Sequence, residues 1–484
     1  MGNNSGKYTS PFDLDGRIPF GQAITYGLQH ILSMFASNLT APLIILGVLD
    51  ISAGSTLGLA ILRNAMFIAG FVTLIQLFPI WRIGGRLPLV MGTECGLIGV
   101  YCSIAVAMGG GETGYGALLG ACLIGGLVEV IIGMIFNKIQ RFFPPIVVGV
   151  VLTGVGVSLM SVGVNMFAGG QGVADFGSWE NLLLATITLV AVLIFKQCFK
   201  GFISNISILL GIIVGYVSAI IMGMVVPNTI IVDGVEITKS WVMDWQVVAD
   251  AAWFSLPTLM PVKLSFHLQA IIPIAILFCV LTMETIGSVT STVRQGVGRE
   301  PNEREIPGAL FGDGLGSSLA ACFGVLPNTV FTTNVAIVNS TKIVNRYSLG
   351  WGAGLLVLAS FCPKLLALFS IIPSAVLGGA VTMMFGMILF SGMELIAEDG
   401  FTGRNGLIVA LSFGAAYGLG DIPGALSGLP SWFTSTIGAG GVLLLTVVCF
   451  VLNLILPKDK EKVQKEPDGI YECLLTPDSD IEEK

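Results

Sequence analysis

The chain has 484 residues, of which 54% are hydrophobic and only 11% are charged, and its mean hydropathy is +0.88. A soluble globular protein is much more polar than this, so the composition indicates a protein embedded in a membrane. The formal net charge of −7 says little about the partner of a membrane protein, and no basic patch interleaved with aromatic residues suggests a nucleic acid.

Apolar runs long enough to cross a hydrocarbon core of roughly 30 Å as helices of about 20 residues recur along the chain. They predict fourteen membrane segments, of which the third and tenth are unusually short and polar. One long connection, residues 226–268, contains the stretch TIIVDGVEIT, which predicts a small hairpin turning at Asp233 and Gly234. The predicted segments begin near Gly21, Ser55, Leu87, Tyr115, Pro144, Asn181, Gly201, Gln269, Ile306, Thr329, Ser348, Ile371, Asn405 and Ser435.

The basic residues are distributed unevenly between the connections. Nineteen of the 23 lysines and arginines lie in the N-terminal stretch, in the C-terminal tail or after even-numbered segments, whereas the opposite connections carry mainly acids. Because cytoplasmic loops retain Lys and Arg, we expect a multi-pass protein of the plasma (inner) membrane with both termini in the cytoplasm. The nine cysteines show no metal-ligand spacing, so we expect neither a metal nor a cofactor.

The two short segments resemble each other. LPLVMGTE at 87–94 and LPNTVFTT at 326–333 both open with Leu-Pro and place a Thr five residues after the proline, an offset of 239 residues. Seven segments separate the copies, and this odd number turns the second copy upside down, so the sequence predicts an inverted repeat. Short segments interrupted by Pro or Gly at matching positions of such repeats indicate the binding site of a secondary transporter. The alternative is that Pro327 only begins a helix after a loop.

Several ionisable residues fall inside the predicted segments. Glu284 lies ten residues before the next arginine, about 15 Å from that interface at a rise of 1.5 Å per residue, and a carboxyl there is costly unless it is paired, neutral or functional. Asp313, among glycines, fits a helix cap as well as a functional site. Glu94 presents the same choice, and His30 fits interhelical hydrogen bonding as well as ligand contact. Glu129 fits packing between domains or proton sharing.

Three of these residues, His30, Glu284 and Asp313, lie in motifs that resemble those of the nucleobase–ascorbate transporters, also called nucleobase cation symporter family 2. GLQHILSMF with APLIILG is similar to the family's first-segment signature, and RFFPPIVVGVVLTGVGVSL to its fifth segment. ETIGS resembles the eighth-segment Glu motif, GDGLGSSLA the ninth-segment Asp motif, and TTNVAIVNSTK the tenth-segment signature. The resemblance runs from about Gly21 to the last segment, and the sequence as a whole is most similar in style to the bacterial xanthine and urate permeases of this family.

The resemblance implies an all-α fold of two inverted seven-segment repeats, with broken helices and brief strands at segments 3 and 10. Segments 1 to 4 and 8 to 11 would form a substrate-carrying core. Segments 5 to 7 and 12 to 14 would form a gate, against which the core moves in elevator fashion and through which two copies dimerise. The expected divisions are a cytoplasmic tail (1–20), core parts (21–143 and 269–369), gate parts (144–225 and 370–456), an extracytoplasmic loop (226–268) and a second cytoplasmic tail (457–484).

The resemblance also implies a substrate site between segments 3, 8 and 10. Glu284 would accept hydrogen bonds from ring N–H groups of a nucleobase, and Thr333 and Asn334 would occupy the tenth-segment substrate and support positions. Glu94 and Cys95 would line the site from the third segment. The residues expected to support the site or the coupling are Asp313, His30, Ser288 and Thr341.

The chain departs from the family pattern within this site. Thr333 stands where Gln or Glu is common, Ala336 replaces the motif Gly, and Ser288 replaces an Asp common in purine carriers. Glu94 and Cys95 stand where Ser and Phe are frequent, which removes an expected stacking wall and adds a carboxylate. The class of transporter is therefore better defined than its substrate.

The expected function is import of a nucleobase by proton symport, with a purine such as xanthine or urate favoured. Uracil or another heterocycle, and sodium in place of the proton, stay open. An anion carrier of the sulfate-transporter type can share the architecture, but Glu284 and Glu94 would repel an anion. We do not expect an enzyme, because the chain has two histidines and neither an HExxH nor a paired-Asp motif.

Overall fold

The computed structural model describes residues 8–139, 144–170, 172–232, 235–419, 422, 428 and 441–457, mostly as helices. The first half comprises α1 (Phe20–Val48), α2 (Thr56–Leu77), β1 (Met91–Thr93), α3 (Ile98–Ala107), α4 (Gly111–Ile139), α5 (Pro145–Phe167), α6 (Trp179–Cys198), α7 (Phe202–Asn205), α8 (Ser207–Val225), β2 (Thr229–Val232), β3 (Val235–Thr238) and α9 (Trp245–Asp250). The second half comprises α10 (Leu268–Ser291), α11 (Glu305–Cys322), β4 (Asn328–Val330), α12 (Thr332–Thr341), α13 (Arg346–Ser360), α14 (Pro363–Ser370), α15 (Ser374–Asp399), α16 (Gly403–Phe413) and α17 (Gly441–Ile455).

Eight of the described helices are long and apolar enough to cross a membrane, namely α1, α2, α4, α5, α6, α8, α10 and α15. The pair α13 and α14 adds one more if its 83° bend is counted within a single span. A polytopic helical membrane protein was predicted, and this fold class is confirmed. The count of fourteen segments stays a prediction, because the predicted start of the last one, near Ser435, lies outside the described residues.

Several helices begin where the sequence supplies a capping side chain. The Ser55 hydroxyl accepts a hydrogen bond from the backbone N–H of Gly58 at 3.0 Å, which closes the first turn of α2. Asn345 caps α13 in the same way, through its Oδ1 and the N–H of Ser348 at 3.1 Å. Such caps satisfy amides that have no partner inside the helix, so they fix where each helix enters the membrane.

Glycines allow α4 and α11 to pack in direct contact. A Cβ added to Gly126 would collide with the Gly314 carbonyl oxygen and with the Ser318 hydroxyl. The Ser318 hydroxyl donates a hydrogen bond to the Leu123 carbonyl at 3.0 Å across the same contact. Close packing of small residues and interhelical hydrogen bonds hold helices together where lipid removes the hydrophobic driving force. This contact therefore fixes α4 against α11.

We expect Gly126→Ala to destabilise the protein by about 1–3 kcal/mol, because the added methyl group has no space at the contact between α4 and α11. Thermal unfolding of the detergent-solubilised protein measures the effect as a lowered Tm. Gly354→Ala on α13 is the matched control, because a Cβ there meets nothing within 4 Å. Equal Tm values for the two variants would contradict the close contact.

The two short segments meet at a pair of antiparallel strands. β1 pairs with β4 in the register Met91 with Val330, Gly92 with Thr329 and Thr93 with Asn328. Met91 and Val330 are separated by 239 residues (330 − 91), which is the offset of the sequence repeat. Met91 and Val330 therefore each face their own equivalent, as expected where a two-fold axis relates two inverted halves.

A ten-residue helix follows each of these strands, α3 after β1 and α12 after β4. The third and tenth segments are therefore broken helices with brief strands, as the sequence predicted. In the long connection, β2 and β3 form the predicted hairpin. Its predicted turn, Asp233 and Gly234, lies outside the described residues.

The long helices pack in two groups. Helix α4 packs against α10 and α11, and α13 packs against α1 and α2. Separately, α15 packs against α5 and α6, and α6 packs against α8. The predicted boundaries of a core and a gate stay a prediction.

Candidate functional site

The strand pair brings the predicted site residues together from five parts of the chain. Strand residues inside a membrane protein need partners for their backbone groups, and β1 and β4 satisfy each other. The residues lie on α1 (His30), in the β1 to α3 connection (Glu94 and Cys95), on α10 (Glu284 and Ser288), on α11 (Asp313) and in the first turn of α12 (Thr333 and Asn334).

Asn334 connects α12 to α1. Its Nδ2 donates to the His30 carbonyl oxygen at 3.0 Å and lies 3.1 Å from His30 Nδ1. Its Oδ1 accepts from the hydroxyls of Ser33 and Thr333, both at 3.4 Å. A side-chain amide has two donor hydrogens and an acceptor oxygen, and in this environment both the nitrogen and the oxygen of Asn334 have partners. Asn334 therefore positions its neighbours, and His30 Nδ1 acts as an acceptor.

Asp313 connects α11 to α10 and to β4. Its Oδ2 accepts hydrogen bonds from the Thr285 hydroxyl and from the Thr329 hydroxyl, the latter at 3.1 Å. The two threonine hydroxyls lie 3.3 Å apart. Asp313 is only 1% exposed, and its Oδ1 has no hydrogen-bond partner among the residues that the structure describes. It therefore holds the strand against the helix that carries Glu284.

Glu94 and Cys95 make local contacts. The Glu94 carboxylate accepts the backbone N–H of Gly96, and the Glu94 N–H donates to the Pro327 carbonyl at 2.8 Å. The Cys95 thiol donates to the Ser37 carbonyl at 3.1 Å. A carboxylate just before a helix N-terminus is stabilised by the free amides there, so Glu94 occupies the entrance of α3.

Glu284 differs from the other acids of the site. It is half-buried, and within the described ranges its carboxylate makes neither a hydrogen bond nor a salt bridge. It lies close enough to Glu94 and Asp313 to interact with both electrostatically. Because Asp313 and Glu94 already accept hydrogen bonds from the protein, Glu284 is the carboxylate available to a ligand.

Two of the predicted residues contribute less directly. The Thr341 hydroxyl donates to the Ile337 carbonyl at 2.7 Å and accepts the Ile343 N–H at 3.3 Å, so it closes the far end of α12 and is not brought to the strand pair. Ser288 is buried one turn beyond Glu284 on α10. In the parts of the chain that are described, no group of three or more His, Cys, Asp and Glu side chains could hold a metal ion.

Sequence reasoning missed four polar residues that build this site. Ser33 supports Asn334, Thr285 and Thr329 bind Asp313, and Asn38 Oδ1 accepts the Thr93 N–H of β1 at 2.8 Å. Their only signal is that they are polar residues inside apolar segments. Their partners are as far as 301 residues away along the chain, so spacing could not identify them.

Two inverted, broken helices that meet at membrane depth beside a free carboxylate define a polytopic membrane carrier. The chain belongs to the Permease family, since the family model Xan_ur_permease matches residues 21–423. The protein is accordingly a transporter and not an enzyme, as the sequence predicted. The resemblance to xanthine and urate permeases is also confirmed.

Two curated relatives come from Bacillus subtilis (strain 168). The chain is 31% identical to a xanthine permease, over 93% of this chain and 97% of that protein. It is also 31% identical to the uric acid permease PucK, over 89% of this chain and 95% of that protein. Among solved structures, the transmembrane domain of the cyanobacterial bicarbonate transporter BicA matches with a TM-score of 0.56 and 16% identity, over 90% of this chain and 99% of that domain. The last match shows a shared fold alone.

Proposed function

We propose that the protein imports a nucleobase, with a purine such as xanthine or urate favoured, by proton symport. The observation that carries this proposal is the free carboxylate of Glu284 beside the broken helices. A flat heterocyclic base presents N–H donors and carbonyl acceptors along its edges. A carboxylate accepts from adjacent ring N–H groups, and the free amides at a broken-helix N-terminus donate to ring carbonyls.

The N-terminus of α12 supports this arrangement. Its capping residue, Phe331, makes no side-chain cap hydrogen bond, so the first amides of the helix keep their capacity to donate to a substrate. At the other broken helix, the Glu94 carboxylate already accepts the Gly96 N–H just before α3, so that end is less available to a substrate. Thr333 is half-buried in the first turn of α12 and adds one hydroxyl. Substrate would therefore lie between Glu284 and the start of α12.

An anion carrier is the competing function, since the bicarbonate transporter BicA shares the fold. Three acids around the site, Glu284, Glu94 and Asp313, disfavour a small anion there. The names of the two bacterial relatives, a xanthine permease and a uric acid permease, also support a purine. Uracil or another heterocycle presents the same edge chemistry.

The packing of the helices supports the proposal of an elevator movement. The site residues lie on α1, α10, α11 and α12, with the strands between them, and α5, α6, α8 and α15 pack together elsewhere. In this proposal the helices that hold the site move together with the substrate against α5, α6, α8 and α15. The protein lies in the plasma membrane, with both termini in the cytoplasm. The most hydrophobic windows of α6 and α8 are only 33% and 28% buried, the lowest of the eight spanning helices. These faces suit a homodimer contact or lipid.

Uptake into cells that express the chain tests this function. Radiolabelled xanthine, urate, uracil, guanine and adenine are supplied with and without a protonophore, in sodium or choline medium, and empty cells give the background. We expect one purine to accumulate, with uptake lost on adding the protonophore and unchanged in choline. Accumulation that needs sodium would overturn proton coupling, and uptake of none of the bases would overturn the nucleobase assignment.

A further inference from the structure

The contact between α4 and α11 contains an acid, Glu129, that takes no part in the proposed substrate site. Glu129 lies on α4, three residues after Gly126, and its side chain is 0% exposed. Neither carboxylate oxygen has a hydrogen-bond partner, and no salt bridge involves Glu129, among the residues described. A buried carboxylate without a partner is strongly disfavoured if it is charged, and an ionisable residue inside a membrane segment is a candidate functional residue by default.

Among the described residues, the groups that face Glu129 supply no positive charge. Across the contact on α11 is Asp313, which interacts with Glu129 electrostatically and whose Oδ1 is also without a partner within the described ranges. The remaining titratable neighbours are Cys279 on α10 and Tyr101 on α3. The Tyr101 hydroxyl is another buried group that lacks a partner in the described structure. The contact therefore combines two carboxyl groups with unused acceptor positions.

Two carboxyl groups close together in a low-dielectric interior cannot both be ionised without a compensating cation. A proton bound to one of them removes one negative charge and supplies a donor. A larger ion needs several oxygen ligands, whereas a proton needs only one of the free carboxylate oxygens. The close helix contact around Gly126 and Gly314 leaves little room for anything larger.

We propose that Glu129 and Asp313 form the site that carries the coupling proton, separate from the substrate carboxylate of Glu284. This inference rests on the proposed proton symport. A proton from the outer solution binds one carboxylate to give a carboxylic acid, and the same O–H bond breaks to release it inside. Asp313 transmits the protonation state, because its other oxygen holds Thr285, the neighbour of Glu284, and Thr329 of the strand pair.

Infrared difference spectroscopy of the purified full-length protein tests the proton site directly, whether or not any base is transported. We expect a pH-dependent carboxylic-acid C=O band that shifts when glutamate is labelled with ¹³C and is lost in Glu129→Gln. Glu112→Gln, an exposed acid at the start of the same helix, should retain the band. If Glu129→Gln does not fold, Glu129→Asp should keep a band at a shifted position. A wild-type spectrum without the band, or one unchanged by these Glu129 variants, overturns the inference.

Transport then shows whether this proton drives uptake. With xanthine or urate as the probe, we expect Glu129→Gln to keep exchanging labelled for unlabelled base and to lose accumulation against a gradient, with uptake insensitive to the protonophore. Gradient-driven accumulation at the wild-type level would overturn the coupling role. A sodium-dependent accumulation that survives in Glu129→Gln would also overturn it. A wild-type protein that shows the infrared band but transports no base would overturn the proposed function and leave the proton site standing.

Discussion

Replacing Glu284 with Gln should reduce base binding by about 10- to 100-fold, because a hydrogen bond to a charged group contributes about 1.5–3 kcal/mol. The amide keeps the size of the side chain, but it offers one acceptor and one donor where the carboxylate offers two acceptors. Adjacent ring N–H groups would then face an N–H of the protein. Equilibrium binding of labelled xanthine or urate to the purified protein measures the change, and uptake should fall in parallel.

Two other acids provide matched controls for Glu284→Gln. Glu94→Gln removes a neighbouring charge whose carboxylate the protein itself uses, through the N–H of Gly96, so its effect on base affinity should be much smaller. Glu112→Gln, exposed at the start of α4, should have none. Wild-type affinity in Glu284→Gln, with normal folding judged by its Tm, would show that substrate does not contact Glu284.

The sequence predicted the broken helices because their signals are local. Leu-Pro at the start of each short segment and the shared offset of 239 residues identified two equivalent elements, and Met91 pairs with Val330 at that offset. Hydropathy alone identified the long helices such as α5 and α15. The repeated motif and the apolar runs can be read directly from the sequence, so predicting these elements needed no knowledge of tertiary contacts.

The individual roles of the polar residues could not be predicted from local signals. Asp313 fitted a cap or a functional site equally well, and the structure shows that two threonines hold it, one of them 28 residues away. Thr341 belongs to the tenth-segment motif, yet its hydroxyl bonds within its own helix. These outcomes depend on which helices touch and on the direction of each side chain, and neither is encoded in local spacing.

Asn334→Ala should weaken base binding by about tenfold, since it leaves the ring nitrogen Nδ1 of His30 buried without a donor, at about 1–3 kcal/mol for an unsatisfied group, whereas the His30 carbonyl keeps the Ser33 hydroxyl as a donor. The Asn334 side chain is 1% exposed and bridges α12 to α1, so its loss frees the α12 N-terminus from the position in which it faces the substrate. Because Asn334 acts through its neighbours, Asn334→Ala combined with His30→Ala should cost less than the two changes summed.

A double-mutant cycle on base affinity measures this coupling, which we expect to be about 0.5–3 kcal/mol for residues in direct contact. Asn339→Ala is the matched control: it removes the same amide from α12, but Asn339 Nδ2 donates to the Ser291 hydroxyl of α10 at 2.9 Å. The change in binding free energy caused by Asn339→Ala should therefore add to that of His30→Ala within about 0.5 kcal/mol. If Asn334→Ala were equally additive with His30→Ala, the bridge would not position the site, and Asn334 would have to act on the substrate directly.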